Sequence, residues 1–236
     1  MQTMRLFFMQ LGLRSDGSAH VPGYLIQTVD GQNILIDSGL PRSLVGRSTS
    51  GWQLHEDDLV TAHLAKLGLG AADIHIVICT HLDPDHAGNH DLFLQAEFYV
   101  QRKHYEFACS SGLARFGFHV AKWNDSRLQY RLIDGDFELR PGIKLIESSG
   151  HVPGHQSILL HLPQTGAVLL TADAILYAAL TDPDTRAILP FDLDEPTVRA
   201  STRKLMALAA RETTMLIFGH DLAQWRTLRK LPEYYG

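Results

Sequence analysis

Thr80-His81-Leu82-Asp83-Pro84-Asp85-His86-Ala87-Gly88-Asn89-His90 is the stretch whose reading decides the fold. It follows Ile74 to Cys79, IHIVIC, an apolar run of strand length bounded by a polar cluster. His81, Asp83, Asp85 and His86 therefore sit on the turn at the C-terminal end of a strand, where open α/β sheets place their sites. Pro84 fixes its own φ and restricts Asp83, so the loop is tight and its imidazoles and carboxylates converge. Carboxylates this close repel unless a cation lies between them. Two imidazoles and two carboxylates within six residues read as a metal site rather than a solvated polar turn.

The same placement recurs downstream. Gly150-His151-Val152-Pro153-Gly154-His155, Thr171-Ala172-Asp173 and Phe218-Gly219-His220-Asp221 each set a His or Asp after a run that reads as a strand. Around them, MRLFFMQL, YLIQTV and NILIDSG predict the first three strands, the last two joined as a hairpin through Asp30-Gly31. Glu56 to Leu67 predicts a helix, with Asp57 and Asp58 at its start and Gly68 at its end. EFYVQ, LQYRLI, FELRPGIKLIES, SILLHL and VLLTAD predict further strands. They are followed by a helix from Glu195 to Ala210, the strand MLIF and a closing helix after Asp221. Leu40 to His55 and Cys109 to Asp125 receive no element. Mixed hairpins and helices in both halves, with no linker, predict one α+β or layered α/β domain over residues 1–236 rather than a doubly wound parallel sheet.

Composition narrows the chemistry. Twenty-one Lys and Arg against 26 Asp and Glu leave a net charge of −5, so no basic excess is available for nucleic acid. The longest apolar stretch, Ala167 to Leu180, is interrupted by Thr171 and Asp173 and is shorter than the roughly 20 residues of a membrane span. The N-terminal run has no signal-peptide cleavage pattern, which makes the cytoplasm the default compartment. Thirteen histidines against two cysteines, Cys79 and Cys109, mean nitrogen and oxygen donors for any metal.

The quoted residues resemble the metallo-β-lactamase superfamily, whose signature is H-x-H-x-D-H followed by a distant His, an Asp and a last His. Here 65 residues separate His86 from His151, 22 separate His151 from Asp173 and 47 separate Asp173 from His220. These spacings, the GHxPGH form and the length look most like the N-acyl homoserine lactonase branch. The resemblance implies a four-layer αβ/βα sandwich with two divalent metal ions, zinc first. His81, Asp83 and His151 would hold one ion, Asp85, His86 and His220 the other, and Asp173 would bridge them. It implies a metal-activated water attacking a small lactone or ester, Asp85 as proton shuttle, Tyr177 as donor to the oxyanion, and a monomer or homodimer with no membrane or nucleic-acid partner. In that reading the chain is a quorum-quenching lactonase.

Asp83 departs from the pattern, which has His there. A carboxylate in that place subtracts one positive charge from the site and tilts its preference toward iron or manganese. It also resembles the H-x-E-x-D-H of flavodiiron proteins, so a diiron protein binding or reducing oxygen or nitric oxide is the alternative, with a glyoxalase II-like thioesterase as another. Asp37 reads equally as a support for a metal-bound His or as a turn residue, and His155 reads as a hydrogen-bonded support. His20, His55, His63, His75, His90, His104, His119 and His161 read as surface or packing residues. Phe116, Phe118 and Trp123 read as either a pocket wall or a self-packed loop.

Overall fold

The computed structural model describes residues 4–47 and 51–236. Residues 1–3, ahead of the expected first strand, and residues 48–50 of the unassigned stretch before His55, lie outside them. Two sheets form. The first takes the order β4-β1-β2-β3-β5-β6-β7, from β1 (Arg5–Arg14), β2 (His20–Gln27), β3 (Asn33–Ile36), β4 (Trp52–Gln53), β5 (Ile76–Ile78), β6 (Glu97–Gln101) and β7 (Gln129–Ile133). The second takes the order β12-β11-β10-β9-β8, from β8 (Phe137–Arg140), β9 (Ile143–Glu147), β10 (Gln156–Leu162), β11 (Gly166–Leu170) and β12 (Met215–Ile217). The β2–β3 hairpin through Asp30-Gly31 is as expected. From β3 to β7 the first sheet runs parallel, as do β11 and β12 in the second.

Alternation along the strands builds the layers. Leu6, Phe8, Ile34 and Ile36 face Leu145, Ile158, Leu160 and Leu170 across the space between the sheets. Phe7, Met9 and Leu35 point the other way, onto α1 (Val60–Ala65). On the far side Leu159 and Leu169 pack on Leu205 and Leu208 of α6 (Glu195–Glu212). A side chain's face is set by its parity in the strand, so two apolar faces per sheet demand four layers. This is the αβ/βα sandwich.

Several elements differ from expectation. The helix predicted over Glu56 to Leu67 is a 3₁₀ turn, Glu56–Asp58, followed by α1, because Leu59 between them adopts ψ 140°. Ladder bonds of the IHIVIC run cover only Ile76–Ile78. The helix from Glu195 continues to Glu212. The short helix α2 (Pro84–Ala87) carries half of the motif, with Pro84 at its first turn. A nine-residue helix, α3 (Arg102–Ser110), has no apolar stripe to announce it: it buries only His104 and Ala108. The Cys109 to Asp125 stretch holds α4 (Ala114–Gly117) and α5 (Val120–Trp123), and α7 (Leu222–Trp225) follows Asp221. Among the described residues no helix is long and apolar enough to cross a membrane.

Two glycines let the site loops close. The Gly88 amide donates to the Gly39 carbonyl at 3.0 Å, and a Cβ there would lie 2.3 Å from the Pro41 nitrogen. Gly154, at φ +69°, leaves room for the backbone of His104, whose nitrogen a Cβ would meet at 2.5 Å. Gly88→Ala should therefore lower unfolding free energy by at least about 1–3 kcal/mol. In urea the midpoint should fall with the slope unchanged; an unchanged midpoint would show that the motif loop is not pinned against Gly39 to Pro41.

Candidate metal centre

The four expected segments meet at one edge of the sandwich. His81, Asp83, Asp85 and His86 follow β5, His151 lies on the β9–β10 loop, Asp173 follows β11 and His220 follows β12. His86 and His220 place Nε2 at 3.3 and 3.2 Å from Asp173 Oδ1, and both lie near Asp85 Oδ2, at 3.8 and 3.7 Å. His81 and His151 place Nε2 at 3.3 and 3.2 Å from Asp83 Oδ2, and at 3.9 and 3.6 Å from Asp173 Oδ2. The two oxygens of Asp173 thus face two different sets. Ligands at 2.0–2.2 Å from a tetrahedral ion would stand roughly 3.3–3.6 Å apart, which these separations approach.

Each imidazole is oriented by its other nitrogen. His86 Nδ1 lies 2.8 Å from Asp37 Oδ2, His220 Nδ1 donates to the His20 carbonyl at 2.6 Å, and His151 Nδ1 lies 3.3 Å from Asp192 Oδ1. His81 Nδ1 lies 3.0 Å from Thr80 Oγ1, which itself donates to Asp37 Oδ2 at 2.7 Å. With Nδ1 engaged as donor, Nε2 is left as a lone pair aimed inward. His81 Nε2, His86 Nε2 and Asp173 Oδ1 are buried without any hydrogen-bond partner. Buried polar atoms are rarely orphaned, and a divalent cation is what this donor set fits.

The surrounding carboxylates favour positive charge at the His86 side of the site, the place a cation would take. Burial opposes charge on Asp173, yet His220 and His86 outweigh it and hold its carboxyl well below the usual range. Burial likewise opposes charge on His86, and Asp173, Asp85 and Asp37 outweigh it, raising the imidazole well above its ordinary value. His81 goes the other way, lowered by burial and by His86.

Asp83 has a partner the sequence did not announce. Arg115, on α4, grips both its oxygens: Nε donates to Oδ1 at 2.7 Å and Nη2 to Oδ2. Nη2 also lies 2.9 Å from His151 Nε2, and Nη1 donates to the Phe191 carbonyl at 2.8 Å. The expected loss of positive charge at the site is thereby cancelled, since the guanidinium returns what the carboxylate removes. Other sequence expectations divide. Asp37 is a support for His86, held at φ +57°. His155 supports too, accepting at Nε2 from the Asp173 amide at 3.1 Å. His104, expected only to pack, ties two site loops by accepting from the Leu82 amide at 2.8 Å and bonding the Pro153 carbonyl at 2.9 Å. Asp192 and Arg115 carry no sequence signal: Asp192 lies on an irregular segment and Arg115 on a four-residue helix too short to show a period.

The centre floors a cavity of about 620 Å³. Tyr177 and Phe118 line it, together with Leu40, Leu44, Trp52 and Phe191. Phe116 and Trp123 do not; they are buried in the core beneath α3.

Residues 20–220 match the family profile of the metallo-β-lactamase superfamily. An N-acyl homoserine lactonase of a Bacillus species is 33% identical over 222 residues, covering 89% of this chain and 85% of the relative. The N-acyl homoserine lactonase AttM of Azorhizobium caulinodans is 32% identical over 245 residues, covering 96% and 91%. Among solved structures, a Bacillus thuringiensis AiiA variant with N-decanoyl-L-homoserine at its active site superposes with a TM-score of 0.86 at 29% identity, covering 100% of both chains. A similar hydrolase, with N-hexanoyl-L-homoserine at its catalytic metal center, gives the same score and identity.

The buried histidines set an acid limit. Burial pushes His90 down to about 3 and His104 to about 4, so both are neutral in the folded chain. Unfolding frees them to protonate near 6.5, so stability is full above that pH and falls as pH drops through 6.5 toward 4. Each should remove about 2 kcal/mol by pH 5. Urea unfolding across pH 7 to 5 should show this loss; a flat profile would mean that these rings are already charged or exposed.

Proposed function

The chain belongs to the metallo-β-lactamase superfamily and to its N-acyl homoserine lactonase branch, a family of metal-dependent hydrolases, and from that premise we propose that residues 1–236 act as one domain that opens the lactone ring of N-acyl homoserine lactones. The observation that carries the substrate class is the two-sided cavity. Its floor is the Asp and His cluster, suited to a small polar ring, and Leu40, Leu44, Trp52, Phe118, Leu176 and Phe191 supply an apolar wall for an acyl chain.

Asp85, His86, Asp173 and His220 would hold a divalent ion, with His81, Asp83 and His151 as the second set that the family pattern implies. Zinc suits the imidazole-rich donors, with iron or manganese as the alternatives. Such an ion, when bound, polarises a carbonyl oxygen and lowers the pKa of water toward about 7. Asp37, Thr80, Asp192 and the His20 carbonyl keep the imidazoles in the tautomer this requires. Asp85, partly exposed on the cavity floor, takes the proton of the attacking water and gives it to the ring oxygen as the carbon–oxygen bond breaks. Tyr177 lines the same cavity, and burial with the Asp173 carboxylate raises its phenol, so it stays protonated and can donate to the developing oxyanion. The products are a carboxylate and a hydroxyl, with one proton released. The diiron alternative drew on Asp83 as an oxygen ligand, and that carboxylate is engaged by Arg115 on both oxygens.

Purified protein supplied with divalent metal should open an N-acyl homoserine lactone with no reductant present, releasing one proton per turnover. Tyr177→Phe should slow this by roughly 10- to 1000-fold. The hydrolase reading fails if metal-loaded protein opens no lactone or ester across a panel of chain lengths while a reduced sample consumes oxygen. An unchanged rate in Tyr177→Phe removes only the role of the phenol.

A further inference from the structure

Asp83 and Arg115 explain each other. An imidazole at position 83 could not bind a guanidinium on two parallel hydrogen bonds; a carboxylate can, and this fork geometry is the strong form of the pair. Arg115 is also fixed from outside the pair, by the Phe191 carbonyl at 2.8 Å and by the ring of Phe116 at 5.7 Å, and its side chain is only 19% exposed. It is a built position and not a surface arginine resting on a nearby acid.

The consequence concerns lone pairs. With His151 Nδ1 turned to Asp192, the ring's one remaining position is Nε2, which lies 2.9 Å from Arg115 Nη2 and 3.2 Å from Asp83 Oδ2. A metal could use that nitrogen only by displacing the Arg115–Asp83 pair from it. Both oxygens of Asp83 are engaged by the same group. Two of the three side chains in the His81, Asp83 and His151 set are therefore taken by a cation that the chain itself carries. The atoms left without a partner, on His81, His86 and Asp173, belong to residues whose ligand atoms lie within 4.8 Å of one another, one ion's worth of donors, beside Asp85 and His220.

We propose that Arg115 stands in for the second metal ion: its guanidinium takes Asp83 and His151 out of the His81–Asp83–His151 set, and the chain binds one divalent ion, on the Asp173, His86, His220 and Asp85 side with His81 beside it. This rests on the metal-dependent reading of the site given above, and it replaces a binuclear centre by an ion and a fixed organic cation. Because Arg115 lines the cavity, the substrate meets that cation directly.

Metal content tests it without recourse to turnover. Protein equilibrated with excess zinc, or separately manganese, and then desalted should carry one ion per chain by elemental analysis. Arg115→Met removes the competitor and leaves Asp83 and His151 free, so it should carry two. The double variant Asp83→His with Arg115→Met, which supplies three imidazoles, should also carry two, and it stands in if the single variant does not fold. Two ions in the wild-type chain, or one ion still in a folded Arg115→Met, overturn the proposal. Lactone opening measured on the same wild-type sample separates the two claims. Two ions with activity overturn the guanidinium's role and keep the lactonase reading, whereas one ion without activity does the reverse.

Discussion

A carboxylate buried between imidazoles is the constraint on which the rest of this structure depends. Asp173 is 5% exposed, and its two oxygens look toward His86 and His220 on one side and His81 and His151 on the other. Burying so much ionisable chemistry is costly unless each group is paired and held. The fold meets that cost with rigid strand ends. β3 delivers Asp37, β5 the motif, β11 Asp173 and β12 His220, so that the ligating nitrogens hang from the ordered part of two sheets. The β9–β10 loop supplies His151, and an irregular segment supplies its partner Asp192.

That division explains what was legible in the sequence. His81, Asp83, Asp85, His86, His151, Asp173 and His220 each follow an apolar run, and apolar runs are what sequence displays best; the structure brings all seven together. Strand parity made the four layers readable in the same way. What could not be read lies where the chain has no period. Arg115 sits in a four-residue helix inside the unassigned stretch, 32 residues from the carboxylate it grips. Asp192 lies in an irregular segment before α6. His104 looked like one isolated histidine among several, since nothing local says that α3 will turn it between two loops. The helix over Glu56 to Leu67 failed for a smaller reason, the extended Leu59 that splits it.

The Asp83 substitution shows how a departure from a family pattern should be weighed. Counted alone, a carboxylate for an imidazole removes one positive charge and changes the metal the site prefers. Counted with its neighbours, it is half of an ion pair with Arg115, and that pair carries the same zero charge as the neutral imidazole of the family pattern. A guanidinium is delocalised, cannot be deprotonated at working pH and donates in fixed directions, so it can orient a carbonyl but is a weaker activator of water than a divalent ion. Water activation would then fall to the Asp85, His86 and His220 side, next to the shuttle carboxylate.

Locating the ions directly shows whether Arg115 takes the place of a second metal. A crystal structure of zinc-loaded protein, with anomalous scattering recorded on both sides of the zinc edge, should show one peak within ligand distance of Asp173, His86 and His220. Arg115 should remain on Asp83 in the same map. Two peaks of comparable height bridged by Asp173, with Arg115 displaced from Asp83, would show that the guanidinium does not replace the second ion.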